Sequence, residues 1–211
     1  VEVWRRMSFS TVYRFGVGDA LGFSRALFGF LSGRPVGVGD DKDRVHGLLD
    51  TSPLEQLVVE EIPWRRVRQN RRSGRYSAVC ISTTEIATGR TVTFVDHRER
   101  AVPTWTNDTM HVAVPARIAP EHALASAAIP FLFPAVRIGE TYYCDGSLRQ
   151  QTPLAPALRL GSNRVLVIGL RHSRTPALDE PLAVERIERM HSAGFLFGKV
   201  LNALLIDRLE Y

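Results

Sequence analysis

Among the residues able to do chemistry, Asp145 is the best placed. It follows the β-branched and aromatic run Thr141-Tyr142-Tyr143-Cys144 and precedes Gly146. A strand-end aspartate before a glycine suits the crevice at the carboxyl edge of a parallel sheet. There it can serve as general base for a nucleophile within hydrogen-bond reach. The same pair also fits an Asp-Gly turn with a solvated carboxylate, and on spacing alone the turn is the stronger of the two. Ser126 sits among alanines on a short helix before Pro130. Small residues there point to close packing near Asp145 rather than to a nucleophile. Cys144 precedes Asp145 on one strand, so the two side chains face opposite sides, and Cys144 reads as a small buried hydrophobe. His46, His97, His111, His122, His172 and His191 are scattered. Glu121 and His122 are adjacent and point about 100° apart on a helix. No His-x-x-x-His pair suggests a metal. No metal or cofactor is expected, and all six histidines read as surface or structural residues.

The elements that must position these residues are legible in outline. Residues 19–32 read as a mostly apolar helix between Asp19 and Gly33, and 33–47 as a Gly- and Asp-rich loop. Ser52 as N-cap, Pro53 in the first turn and Glu55 closing a capping box start a second helix that Pro63 stops. Arg65, Arg66, Arg68, Arg71, Arg72 and Arg75 are dense like charges, which favour a solvated loop. Tyr76–Ser82 and Thr91–Val95 flank Thr88-Gly89 and predict a hairpin or close strand pair. A helix over 120–128, short strands over 136–138 and 141–144, and a helix over 153–160 closed by Gly161 follow. Val165-Leu166-Val167-Ile168 lies in an apolar run, 164–170, that suits a strand buried on both faces of a parallel sheet. The alternation of strand and helix in the second half predicts an α/β domain. Residues 195–211 read as an amphipathic helix without a stop signal.

Composition narrows the class. The 211 residues are 45% hydrophobic and 23% charged, ordinary for a globular domain and long enough to bury a core without staples. Cys80 and Cys144 are far apart and neither belongs to a Cys-x-x-Cys pair, which weighs against a disulfide framework or a structural zinc site. The net charge is +5, and every basic residue except Lys42 and Lys199 is arginine. A charge this small spread over the chain does not imply nucleic acid, and none is expected as partner. No apolar run reaches the roughly 18 residues of a membrane span, and no signal peptide is visible. The expected location is cytoplasmic or peripheral to a membrane.

The cluster from 120 to 154 resembles the patatin-like phospholipase family. Members carry a segment like Ala125-Ser126-Ala127-Ala128-Ile129-Pro130 with Phe133-Pro134. A strand and a catalytic Asp-Gly-Gly or Asp-Gly-Ala follow, here Asp145-Gly146-Ser147, and then a Thr-Pro-Leu like Thr152-Pro153-Leu154. The stretches Leu49–Leu54 and Thr83–Arg90 look like bacterial members too. The resemblance implies a three-layer α/β/α domain with a mainly parallel central sheet, spanning 1–170, with 171–211 as a linker and helical extension. It implies a lipid acyl hydrolase working through a Ser–Asp dyad, with Asp145 as proton acceptor and Gly146, Ser147 and Ser126 in support. Substrates would be phospholipids or other acyl esters, with peripheral contact to anionic membrane through Arg65, Arg66, Arg68, Arg71, Arg72 and Arg75. Ser147 replaces the usual Gly or Ala, and Gln151 stands where Asn is common. The family's Gly-x-Ser-x-Gly elbow and its Gly-rich oxyanion loop do not occur in these residues. The nearest text, Gly22-Phe23-Ser24-Arg25-Ala26, lies in the apolar helix with no strand before it. The N-terminal strand and elbow are therefore expected upstream of Val1, and the chain is expected to be a fragment. The rival expectation is a non-catalytic regulatory or membrane-binding protein on the same fold.

Overall fold

The computed structural model describes residues 8, 12–14, 47, 49–99, 105, 109–149 and 154–168. The expected helices over 19–32 and 195–211, nearly all of the 33–47 loop, and the 171–211 extension lie outside the described residues. The chain divides into two compact units, Val1–Gly146 and Ser147–Tyr211.

In the first unit, helix α1 (Ser52–Glu61) opens where expected but is capped differently. Ser52 is already helical, and the Asp50 carboxylate accepts both its N–H at 2.9 Å and its hydroxyl at 2.5 Å. Thr51 holds the N-cap position without a side-chain cap bond, and Asp50 satisfies the first orphan N–H and places a negative charge at the positive helix end. Pro63 then stops the helix, and Ile62 is already extended.

Helix α2 (Trp64–Arg72) corrects the expected arginine loop. Like-charge repulsion between solvated side chains is weak, and the helix is fastened from one side. Trp64 Nε1 donates to the Val58 carbonyl at 2.9 Å, and the Tyr76 hydroxyl donates to that of Val67. Arg71 reaches the sheet, with Nε 2.9 Å from Asp96 Oδ1 and a guanidinium N–H donated to the His97 carbonyl at 3.3 Å. Arg65, Arg66, Arg72 and Arg75 stay exposed and Arg68 is half-buried.

The strands are β1 (Ala78–Glu85), β2 (Thr91–His97), β3 (His111–Pro115), β4 (Val136–Ile138) and β5 (Thr141–Asp145). They form one sheet in the order β3-β2-β1-β5-β4. The expected hairpin is present: β1 and β2 pair antiparallel, from Ala78 opposite His97 to Thr84 opposite Thr91. Glu85 closes it, its carboxylate receiving Arg90 Nη2 at 2.9 Å. Only β2 and β3 are parallel; β1 with β5 and β4 with β5 are antiparallel. The described sheet is thus mixed rather than mainly parallel. Connections as short as Gly139-Glu140 can join only antiparallel neighbours, and a parallel pair needs a longer crossover, which 98–110 supplies between β2 and β3.

Direct register partners share a face, so Ile81, Thr83, Val92, Phe94, Tyr143 and Asp145 lie on one side of the sheet. Helix α3 (Pro120–Ser126) packs on β1, β4 and β5, and α1 packs on α3. The buried core joins Val92, Phe94 and Tyr143 of the sheet to Ile118 and Ala125. The Phe94 and Tyr143 rings meet edge to face with centroids 5.2 Å apart.

The second unit holds helix α4 (Leu154–Arg159), which Gly161 ends at φ +88° as expected. The strand expected over 164–170 is not formed in its described part. Residues 165–168 have no regular structure, and Leu166 and Ile168 are 87% and 86% exposed. A strand needs a partner for its backbone groups, and no described strand pairs with this run.

Candidate active site

Asp145 is the last residue of β5, next to the sheet's central strand. Opposite it in register is Thr83, which is fully buried. Two long-range hydrogen bonds fix the Asp145 backbone. Its N–H donates to the Ala128 carbonyl at 2.9 Å, and its own carbonyl accepts the Thr84 hydroxyl at 2.9 Å. The first ties the aspartate to the end of the Ala-Ser-Ala-Ala segment, and the second to β1. These two bonds hold the Asp145 backbone between the end of α3 and β1.

Gly146 follows, buried, at the start of a 3-10 turn (Gly146–Leu148). A Cβ here would overlap the Ser82 carbonyl oxygen and lie 2.7 Å from its carbon. The glycine is therefore demanded by close approach of β1. The same Ser82 carbonyl accepts the Ser126 hydroxyl at 2.9 Å. One carbonyl of β1 thus meets both the end of α3 and the turn after Asp145. Ser126 spends its proton on a backbone oxygen, which gives its hydroxyl a fastening role. Ser147 lies within the 3-10 turn and is half-buried.

The structure adds Ser82, Thr83, Thr84 and Ala128 to the residues expected from sequence. No local pattern flags them, because their part in the site consists of backbone carbonyls, β-register and, for Thr84, a hydroxyl reaching a residue 61 positions away. Thr83 and Thr84 stand out only as members of the Thr83–Arg90 stretch.

His122 is 5% exposed and its contacts are with α3 and the core. Its Nδ1 accepts the Ala119 N–H at 3.2 Å, and its ring stands edge-on to Phe94 with centroids 4.6 Å apart. Burial lowers its pKa against the opposing pull of Glu121, the Ala119 bond and Asp96. His97 lies at the end of β2 and His111 at the start of β3. His46, His172 and His191 are outside the described residues, as are Gln151, Thr152 and Pro153. Burial pushes the Cys80 and Cys144 thiols each up to about 11, so neither is a thiolate at neutral pH. Among the described residues no group of His, Cys, Asp and Glu gathers in a metal-holding arrangement. Among them, too, no helix is long and apolar enough to cross a membrane.

A cavity of about 220 Å³ opens between α1, α3 and β4. Leu49, Leu54, Leu124, Phe133 and Val136 line it, with Asp50, Glu55 and Arg137 among them. Ala128, which holds the Asp145 N–H, is part of its wall.

Together these features define an α/β domain with an aspartate whose backbone is fixed at a strand end beside an obligatory glycine. The chain belongs to the patatin-like phospholipase family, whose model matches residues 39–158, more than half of its length. That family is one of lipid acyl hydrolases. Neither the curated proteins nor the solved structures gave a match to this chain.

Proposed function

We propose that this domain hydrolyses lipid acyl esters through a Ser–Asp dyad in which Asp145 is the proton acceptor. The serine comes from outside these 211 residues, which hold no Gly-x-Ser-x-Gly. Asp145 takes the serine proton as the serine oxygen attacks the ester carbonyl, then gives it to the departing alkoxide as the acyl–oxygen bond breaks. It next takes a proton from the water that attacks the acyl-serine and returns it to the serine oxygen as the fatty acid leaves. The observation that carries this reading is the double fastening of the Asp145 backbone beside a glycine that admits no side chain. Gly146, Ser147 and Ser126 support the site without reacting. The hydrolase domain is assigned to residues 1–170, within which the 39–158 family match falls, and 171–211 to an extension.

The working surface is anionic membrane, met through Arg65, Arg66, Arg68, Arg72 and Arg75 on and just after α2. Arg71 drops out of this set because it is committed to Asp96. The exposed arginines of α2 favour a second reading, a non-catalytic member of the family that binds membrane.

The test is Asp145→Asn in a protein that includes the serine. Asn is nearly isosteric but cannot accept the proton. Activity on p-nitrophenyl butyrate should fall toward the upper end of the roughly hundredfold to ten-thousandfold range for a general base. Ser126→Ala should keep most activity. A folded Asp145→Asn protein with near wild-type turnover defeats the dyad, and a folded but dead Ser126→Ala defeats the assignment of Ser126.

A further inference from the structure

A second cavity, of about 290 Å³, lies at the carboxyl ends of the parallel strands β2 and β3. Ligands of α/β sheets favour such crevices. Arg71 and Arg72 of α2, Asp96 and His97 of β2, and Arg117 just after β3 line it. This is a different place from the candidate active site. Asp145 lies level with Val92 through Thr83, and His97 is five residues further along β2. At about 3.3 Å per residue that is roughly 16 Å.

The charges do not cancel. Asp96 is the acid lining the cavity and is already engaged, 2.9 Å from Arg71 Nε and accepting the Ile118 N–H at 3.4 Å. With that pair neutralised, Arg72 and Arg117 leave a surplus of two positive charges on two separate chain segments. Both are exposed, so each guanidinium fork is open to solvent and to an incoming anion. His97 Nδ1 accepts the Glu99 N–H at 3.2 Å, which puts the ring hydrogen on Nε2 as a further donor. Two planar forks and a ring N–H match a tetrahedral dianion better than a flat carboxylate.

We infer that this cavity binds a phosphoryl group, as a phosphomonoester headgroup or as free phosphate. It goes beyond the surface contact proposed for α2, because a pocket selects by fit where a surface attracts by charge alone. It is independent of the Asp145 chemistry.

Calorimetric titration of the 211-residue chain with inorganic phosphate tests the pocket directly. Sedimentation with phosphatidylcholine vesicles containing either phosphatidic acid or phosphatidylserine distinguishes the sources. Arg72→Gln with Arg117→Gln removes the cavity's surplus charge, and Arg65→Gln with Arg66→Gln removes the same charge from α2 outside it. Thermal melts verify that both variants fold. Saturable phosphate binding should weaken at least roughly tenfold in the cavity variant and stay nearly unchanged in the α2 variant. A preference for phosphatidic acid over phosphatidylserine, lost in the cavity variant, assigns the pocket to a headgroup. Phosphate binding without that preference assigns it to free phosphate. Absent phosphate binding, or equal loss in both variants, overturns the inference. Vesicle binding that falls only in the α2 variant, with no phosphate binding, also overturns it and leaves the surface contact standing.

Discussion

At the scale of single residues, the candidate site depends on where backbone meets backbone. Gly146 is the sharpest case. Gly146→Ala would drive a methyl into the Ser82 carbonyl, and neither strand can yield without breaking its register. The expected cost is about 3 kcal/mol, the upper end for overpacking. Gly139→Ala is the comparison, since Gly139 has φ +62° but open space around it. It should lose only about 1 kcal/mol, from backbone strain alone. Urea midpoints measure both, and equal losses would refute the close-approach argument. His122 gives a pH test. Burial lowers its folded pKa below the 6.5 of the exposed ring. The unfolded chain then binds more protons, so stability contributed here is complete above about pH 6.5 and is lost as pH falls through the folded value. His122→Gln keeps an acceptor for the Ala119 N–H in the manner of a capping box. It should flatten that acid-side loss in urea midpoints taken from pH about 7 to 5, and an unchanged slope would place the titration elsewhere.

At the scale of elements, legibility divides between local and distant causes. The β1–β2 hairpin, α3, the β4–β5 pair and the Gly161 stop were readable because turn residues and proline act on their immediate neighbours. The placement of Asp145 at a strand end before a glycine was readable for the same reason. Helix α2 was not, because what holds it lies at Val58, Tyr76 and Asp96. The run at 165–168 failed in the opposite sense, since its apolar character is local but a strand needs a partner. Ser82 was invisible as a site residue, being defined by the helix end and turn that converge on its carbonyl. The Arg71–Asp96 pair makes the α2 account measurable. The two side chains are 13% and 8% exposed, so Arg71→Gln strands a nearly buried carboxylate and should cost about 3 kcal/mol. Arg72→Gln, one residue on and exposed, should stay within about 0.5 kcal/mol. If chemical denaturation ranks the two alike, α2 is not held through Arg71.

At the scale of the whole molecule, the question is whether any serine in these 211 residues is a nucleophile. An activated serine needs a base within reach and oxyanion donors aimed at the developing charge. Ser147 belongs to the aspartate motif itself, two residues after Asp145, while Ser126 on α3 donates its hydroxyl to a carbonyl that cannot take up a proton. Ser52 gives its hydroxyl to Asp50 at the exposed start of α1, and Ser82 shares its hydroxyl with Thr93 on the sheet face away from Asp145. A fluorophosphonate probe reacts only with serines that have been activated, and so reads this property without requiring a substrate. The 211-residue chain should remain unlabelled after long exposure, and it should not turn over p-nitrophenyl butyrate. A protein that also carries the serine should label at that serine and lose labelling in Asp145→Asn, since the alkoxide forms only as the carboxylate accepts its proton. Mass spectrometry of the labelled peptide decides between the outcomes. Label on Ser126 would move the nucleophile onto α3 and make the Ser82 contact a resting state. Label that survives Asp145→Asn at undiminished rate would remove Asp145 from the chemistry and leave it a strand-end turn residue.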